Sequence, residues 1–324
     1  MIQQGTRMMG TESGMQRWRG LEAIPADLAG SVVTIGMFDG VHRGHRVILG
    51  RAVERAAELG VPSVVLTFDP HPAEVVRPGS HPPVLAPPRL KAELMEQAGL
   101  DAMLILPFTP VLAQLPAENF VRSVLFAALH ARAIVVGANF RFGRQARGDV
   151  ALLRELGAAA GVEVDAVPLV GDTRPTSSTA VRAAIADGDM RTAAGMLGRP
   201  HRIEGIVVRG DQRGRELGYP TANLQPTPHA AVPADGVYAG WLVLRGERLP
   251  AAISIGTNPT FEGTQRRIET FVLDASLDLY GAHIGIEFVE RLRATEKFAS
   301  IEALVAAIDD DVARTRKILA ADRA

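Results

Sequence analysis

The chain has 324 residues, 47% hydrophobic and 22% charged, with a net charge of −1. That length and balance suit two globular domains, each able to bury a core. The near-neutral charge supplies no basic excess for nucleic acid, the absence of cysteine excludes disulfides, thiolate metal sites and a cysteine nucleophile, and no apolar run approaches the roughly 18 residues of a membrane helix.

Residues 1–14, MIQQGTRMMGTESG, have no clear periodicity and few apolar side chains. They are expected to be a disordered extension, and no continuous secretory apolar region is evident. A chain beginning at Met15 is predicted to keep its stability and activity, and clear loss of either on truncation overturns that reading. A cytoplasmic location is compatible with these features.

The first strong element is Ser31–Gly36, SVVTIG, an apolar β-branched run that predicts a buried strand. Val47, Ile48, Ala52, Val53, Ala56 and Leu59 then recur at helical spacing. Between them lies GMFDGVHRGH, residues 36–45. Gly36, Gly40 and Gly44 let a strand-to-helix turn bend tightly and let an anion approach closely. The helix that follows directs its free N–H groups and positive dipole end at the turn. His42 and His45 add two imidazoles. With no good metal cage in view, a triphosphate is the simplest guest. A plain Gly-rich turn with capping histidines is the bland alternative, and the full ten-residue pattern outweighs it.

Alternation of strand and helix continues through Ser63–Phe68, Leu90–Ala98, Ala102–Leu106, Ala117–Leu129, Ala133–Val136, Asp149–Ala160 and Val162–Val167. Such alternation implies parallel strands with right-handed crossovers, hence a doubly wound sheet. Ligands of such sheets bind at the carboxyl ends of strands. TFDPHP, residues 67–72, and VGANFRFG, residues 136–143, fall there with the glycine turn. Asp69 and His71 in the first, and Asn139 and Arg141 in the second, are candidates to line a second substrate. Phe140 and Phe142 read equally well as core or as stacking surface.

TSSTAVR, residues 176–182, offers Ser177, Ser178 and Thr179 at a helix start with Arg182 one turn on. An N-cap explains the hydroxyls alone; beside the glycine turn, a phosphate contact is favoured. Residues 178–197 read as two short helices, and 188–200 as the linker into a second domain.

After Pro200 the predicted strands follow one another without helices: Ile203–Val208, Val237–Leu244, Leu249–Ile255, Ile268–Leu273 and Ile284–Leu292. This favours an antiparallel sheet or small barrel. A final helix from Ile301 to Leu319 carries Ile301, Leu304, Val305, Ile308 and Val312 as a stripe expected to pack on it. In GIVVRGDQRGRELGYPTANL, residues 205–224, Gly210, Gly214 and Gly218 with Arg209, Arg213 and Arg215 suggest a basic, phosphate-covering loop. Thr221 and Asn223 offer neutral oxygens of the kind Mg²⁺ accepts when phosphates and water complete its shell. A Pro turn opening a strand is the alternative. Asn258 and Pro259 mark another turn, in SIGTNPTF. Glu269 lies in a largely apolar strand, where a carboxylate is costly unless paired, for instance with Arg266 or Arg267, or used. As a general base it can accept the proton of an attacking alcohol.

These motifs, in this order, resemble those of the prokaryotic bifunctional riboflavin kinase/FMN adenylyltransferase (FAD synthetase) family over nearly the whole chain. The resemblance implies a nucleotidyltransferase-like α/β domain with a doubly wound parallel sheet over residues 15–187 and a six-stranded flavokinase β-barrel with a terminal helix over 201–324. It implies phosphorylation of riboflavin to FMN by ATP in the second and adenylylation of FMN to FAD, with loss of pyrophosphate, in the first. Carried over residue by residue, it makes Glu269 the base, His42 and His45 catalytic, and Thr221 and Asn223 the holders of Mg²⁺. Gly36, Phe38, Gly40, Gly44, Ser178, Thr179, Arg182, Gly210 and Arg215 become ATP contacts, and Asp69, His71, Asn139 and Arg141 flavin contacts. Many members carry Asp where this chain has Asn139, which leaves one charge fewer near the polyphosphate. Two alternatives remain open: a protein with one decayed site, and a flavin or nucleotide sensor that binds without turnover.

Overall fold

A computed structural model describes residues 14–168, 176–210, 218–260, 263–275 and 277–322. The described chain divides into two compact units.

The first unit is built on a six-stranded sheet of β1 (Gln16–Arg19), β2 (Ser31–Ile35), β3 (Ser63–Asp69), β4 (Ala102–Pro107), β5 (Ala131–Gly137) and β6 (Glu163–Val167). Its order is β1-β4-β3-β2-β5-β6, and every pairing is parallel. The predicted doubly wound sheet is therefore present. Val32, Val33, Val64, Val65, Leu66, Leu104, Ile134, Val135 and Val136 are fully buried, as continuous apolar runs in a sheet covered on both faces must be. Each contributes about 1.5–3 kcal/mol on burial. Helices α1 (Arg43–Leu59), α2 (Pro72–Val76), α3 (Pro88–Gln97), α4 (Pro110–Ala113), α5 (Ala117–Phe120) and α6 (Val150–Ala160) lie between the strands, and α5 continues as a π-helix to Ala128. β1 lacks a hydrophobic pattern, since only Trp18 of its four residues is buried. It is recognisable only from its pairing with β4.

Strand order reverses beside β2: the chain moves from β2 to β3 on one side, whereas β5 pairs on the other. The crevice at the carboxyl ends of β2 and β5 is the topological switch point, the general ligand position of such sheets. Gly36–Phe38 leaves β2 there, and Asn139–Phe142 leaves β5.

The second unit takes in Asp39–Gly44, His81–Lys91, helices α7 (Ser178–Ala186) and α8 (Met190–Leu197), and everything described after them. Strands β7 (His201–Val208), β8 (Thr221–Pro226), β9 (Gly236–Leu244), β10 (Glu247–Thr260), β11 (Gly263–Val272) and β12 (His283–Arg293) close into an antiparallel barrel of order β10-β11-β8-β7-β12-β9. Periodicity indicates five of these strands. The sixth, β8 (Thr221–Pro226), has no apolar alternation and is signalled only by the Pro turn before it and by the family resemblance. Tyr238, Leu242, Ile253, Ile255, Ile286 and Phe288 fill the interior. Val181, Ile185, Met190 and Leu197 bring α7 and α8 into the same core.

The terminal helix, α9 (Ile301–Asp322), runs on the barrel with the expected face inward: Leu304, Val305, Ile308 and Val312 are half-buried on it. Asp311, Thr315 and Leu319 are its buried residues, while Ile301 is 63% exposed. On that same face Arg293 of β12 donates to both carboxylate oxygens of Asp311, at 2.8–3.2 Å, a charge-assisted pair that adds to the apolar contact.

Candidate active sites

The barrel site is set by register. Glu269 of β11 pairs with Asn223 of β8, and Phe271 with Thr221. Directly paired residues of antiparallel strands share a face, so Glu269, Asn223 and Thr221 stand together, while Ile268, Thr270 and Leu224 turn into the core. Thr221 Oγ1 donates to Glu269 Oε2 at 3.5 Å. Arg266 is committed elsewhere, to Asp235 at 2.7 Å. A cavity of about 530 Å³ opens here, lined among others by Gly210, Thr221, Asn223, Leu277 and Tyr280.

Gly210 is required sterically. A Cβ on it would meet the Asn223 amide at 2.3 Å. Arg209 places its guanidinium 5.8 Å from the Tyr280 ring centroid. Arg213, Gly214 and Arg215 lie outside the described residues. The PTAN segment is both things weighed for it: Pro220 precedes the first residue of a strand, and Thr221 and Asn223 of that strand border the cavity. Tyr219 packs edge-on against Phe271, with centroids 5.3 Å apart, and donates to Asp309 of α9 at 2.5 Å. That hydrogen bond raises the Tyr219 pKa.

The sheet site has an aromatic cavity of about 540 Å³ in the first unit. Phe68, Phe108, Phe120, Phe140, Phe142 and Arg141 are among its walls. Phe140 and Phe142 stack at 5.4 Å and 13°, so the two readings of these rings coincide: Phe142 is buried and both face the cavity. Phe108, from the loop after β4, carries no motif that marks it in the sequence. Arg141 is exposed and 3.4 Å from Asp149, and Asn139 is exposed on the same loop. Asp69 pairs with Arg19 at 2.9 Å. His71 caps α2, its Nδ1 accepting from the Ala73 amide at 3.1 Å, while Pro72 of α2 reaches the cavity wall.

The GMFDGVHRGH segment is divided between the units. Gly36, Phe38 and His45 belong to the first, where Phe38 and His45 meet edge-on at 5.2 Å. Asp39–Gly44 belongs to the second. Gly40 has φ +82° and an added Cβ would lie 3.0 Å from Leu85 Cβ, so both conformation and space demand glycine. Gly44, in the first turn of α1, lies against the His42 ring and the Thr176 carbonyl.

His42 is buried, and burial lowers its pKa to about 4, against the opposing pull of Asp39. It is therefore neutral at neutral pH. His201, buried in the barrel wall with Nε2 2.7 Å from the Ala231 carbonyl, is lowered to about 4 by the same desolvation. Both favour the neutral form in the fold, so the unfolded chain binds more protons between pH 4 and 6.5. Stability is present in full above pH 6.5 and is lost as pH falls toward 4. At about 1.4 kcal/mol per pH unit, each histidine withdraws roughly 3 kcal/mol. Denaturant unfolding at pH 7 and pH 5 checks this, and a His201→Gln chain should lose about half of the acid sensitivity. A flat profile contradicts it.

The residues of the SSTAVR segment have different partners. Ser177 is the N-cap of α7, accepting from the Ala180 amide at 3.2 Å. Ser178 Oγ donates to the Asp39 carbonyl at 3.0 Å, and Thr179 is exposed. Arg182 is held by Asp39 at 2.5 Å and by the Pro83 carbonyl at 2.7 Å. Asp39 is the residue whose importance sequence reasoning missed, although it stands inside the motif.

Comparison with known proteins agrees with the two domain types. Residues 24–180 match the FAD synthetase family and 197–319 the riboflavin kinase family. The bifunctional riboflavin kinase/FMN adenylyltransferase of Pseudomonas fluorescens is 41% identical over 94% of this chain and 98% of its own. That of Escherichia coli K12 is 38% identical over 89% and 92%. A crystal structure described as a macrolide-efflux protein from Streptococcus pneumoniae superposes with a TM-score of 0.85 at 32% identity, covering 93% of this chain and 99% of that one. Among the described residues, no helix is long and apolar enough to cross a membrane. A parallel sheet with an aromatic cavity, followed by a barrel carrying Glu269 beside a PTAN strand, thus accompanies identity along nearly the full length, and the chain belongs to the bifunctional riboflavin kinase/FMN adenylyltransferase family.

Proposed function

We propose that the barrel unit phosphorylates riboflavin and that the sheet domain adenylylates the resulting FMN, residues 15–187 carrying the second reaction, 188–200 joining the domains and 201–324 carrying the first, in the cytoplasm. The observation that carries the kinase assignment is the register of Glu269 on Asn223, beside Thr221, where Thr221 and Asn223 border a cavity. Glu269 takes the proton from the 5′-hydroxyl of riboflavin as its oxygen attacks the γ-phosphorus of ATP, and ADP leaves. The donor set suits Mg²⁺: Thr221 and Asn223 are hard oxygen donors next to a carboxylate. No group of three carboxylate or imidazole ligands exists among the described residues, so phosphates and water complete the shell. When bound, the ion draws charge from the phosphates. Gly210 lets the Asn223 amide pack against the backbone beside the polyphosphate, and Arg215 covers the polyphosphate.

For adenylyl transfer the flavin ring occupies the aromatic cavity between Phe68, Phe108 and Phe140. Its volume of about 540 Å³ is in the range of small-molecule sites, roughly 300–1,000 Å³. Asn139 and Arg141 hold the ribityl phosphate end, with Asp69 and His71 on the opposite loop. A phosphate oxygen of FMN attacks the α-phosphorus of ATP and pyrophosphate leaves. His42 and His45, with Gly36, Phe38, Gly40 and Gly44 and the hydroxyls of Ser178 and Thr179, hold the nucleotide. Positioning and charge stabilisation carry such a step, with little acid–base work.

Supplying FMN and ATP without riboflavin tests the second site by itself: FAD and pyrophosphate should form in equal amounts. Binding of both ligands with no pyrophosphate favours the sensor alternative. Chelation of Mg²⁺ should stop FMN formation, and undiminished turnover in excess chelator contradicts the metal assignment.

A further inference from the structure

Asp39 is a buried carboxylate that neither proposed reaction uses. Its side chain is 10% exposed. It accepts from the Leu85 amide at 3.1 and 3.2 Å, from the Ala86 amide at 3.1 Å, and from Arg182 at 2.5 Å. These donors meet the hydrogen-bonding needs of the carboxylate from within the protein, without any ligand. Its main-chain carbonyl accepts from Ser178 Oγ at 3.0 Å. Arg182 reaches beyond Asp39 to the Pro83 carbonyl, so its Nε and one Nη serve the protein itself. The Pro83–Ala86 strap is also tied on its other side. The Val84 amide donates to the His229 carbonyl at 2.6 Å, and the Ala231 amide to the Val84 carbonyl at 2.9 Å. Leu85 is fully buried in the core that α7 and α8 share with the barrel. Three segments distant in sequence, the Asp39–Gly44 turn, the strap and helix α7, therefore converge on one carboxylate.

We propose that Asp39 and Arg182 form a positioning latch for adenylyl transfer, holding the His42-bearing turn, the Pro83–Ala86 strap and helix α7 as one piece, so that Arg182 serves the reaction through Asp39 and not as a phosphate ligand. This rests on the adenylyltransferase reading of the first domain. The latch sets where the His42 ring and the Gly44 amide stand. Small misplacement of such groups lowers the rate of a step that depends on orientation. A lysine cannot replace the fork that bridges Asp39 and Pro83.

The test uses the full chain with FMN and ATP, and compares Asp39→Ala, Arg182→Ala and the double variant, measuring kcat and KM for ATP. FMN formation from riboflavin and the thermal midpoint are followed in the same preparations. The latch predicts that each single change lowers kcat for FAD formation by about 10- to 100-fold, with KM for ATP nearly unchanged. The double variant should be no worse than either single one, because the two side chains act as a unit. Arg182→Lys should resemble Arg182→Ala. Asp39→Asn keeps an oxygen for the Leu85 and Ala86 amides but removes the charge that Arg182 holds, and it gives the same reading if alanine unfolds the chain. A raised KM for ATP in Arg182→Ala alone, with effects that multiply in the double variant, overturns the latch and makes Arg182 a phosphate ligand. Equal loss of both activities in step with the folded fraction overturns it in favour of a purely structural pair. A native chain that makes FMN but no FAD from added FMN removes the underlying reading, an outcome distinct from either failure.

Discussion

Glu269→Ala is expected to stop FMN formation while FAD still forms from added FMN at the native rate. The base contributes about 10²- to 10⁴-fold in such a step, and the side chains directly beside it cannot replace it. Thr221 is a neutral hydroxyl that itself donates to Glu269, and Asn223 is an amide. Glu269→Gln should fail nearly as badly, since it keeps the volume and loses the proton acceptor. The side chain is half-buried on the outer face of β11, so its removal leaves the barrel core of Ile268, Thr270 and Val272 untouched. Folding should be preserved, and the thermal midpoint checks that. Phosphorylation at native rates by the alanine variant would remove Glu269 from the mechanism.

His45→Ala should do the reverse, abolishing FAD formation and leaving riboflavin phosphorylation intact. Loss of one preorganised hydrogen-bond donor to developing phosphate charge costs about 10²- to 10³-fold in kcat. His45 opens α1 and rests its ring on Phe38, so the change also loosens the turn beside β2. His42→Ala should give the same selectivity with a larger loss of stability. Its ring is buried against Gly44, and truncation leaves a cavity. Rapid FAD synthesis by either variant contradicts the assignment. Simultaneous loss of both reactions in a folded chain contradicts the separation into two sites.

The parts of the fold that could be read from the sequence are those whose residues carry their own reason. Val32–Ile35 and Val64–Leu66 are apolar because both sheet faces are covered, and GMFDGVHRGH states its turn through its glycines. Other parts depend on partners distant in sequence. β1 exists through its pairing with β4. The burial of Asp311 on α9 depends on Arg293 of β12 reaching it. Phe108 joins the aromatic cavity through the order of strands in the sheet. The candidate residues were visible as types, yet their partners were not. Arg182 and Ser178 read as phosphate contacts beside the glycine turn, and the sequence does not show that both are bonded to Asp39. Gly210 reads as part of a phosphate-covering loop, and its close contact with the Asn223 side chain is visible only in the fold.

The central claim is that one chain carries two separable activities in sequence. The most direct measurement is a chromatographic time course of the native chain with riboflavin, ATP and Mg²⁺, following both flavin products together. FMN rising first and FAD following, with ADP and pyrophosphate formed in proportion, is the predicted result. Accumulation of FMN without FAD would confine catalysis to the barrel, and bound flavin with neither product would contradict the account as a whole.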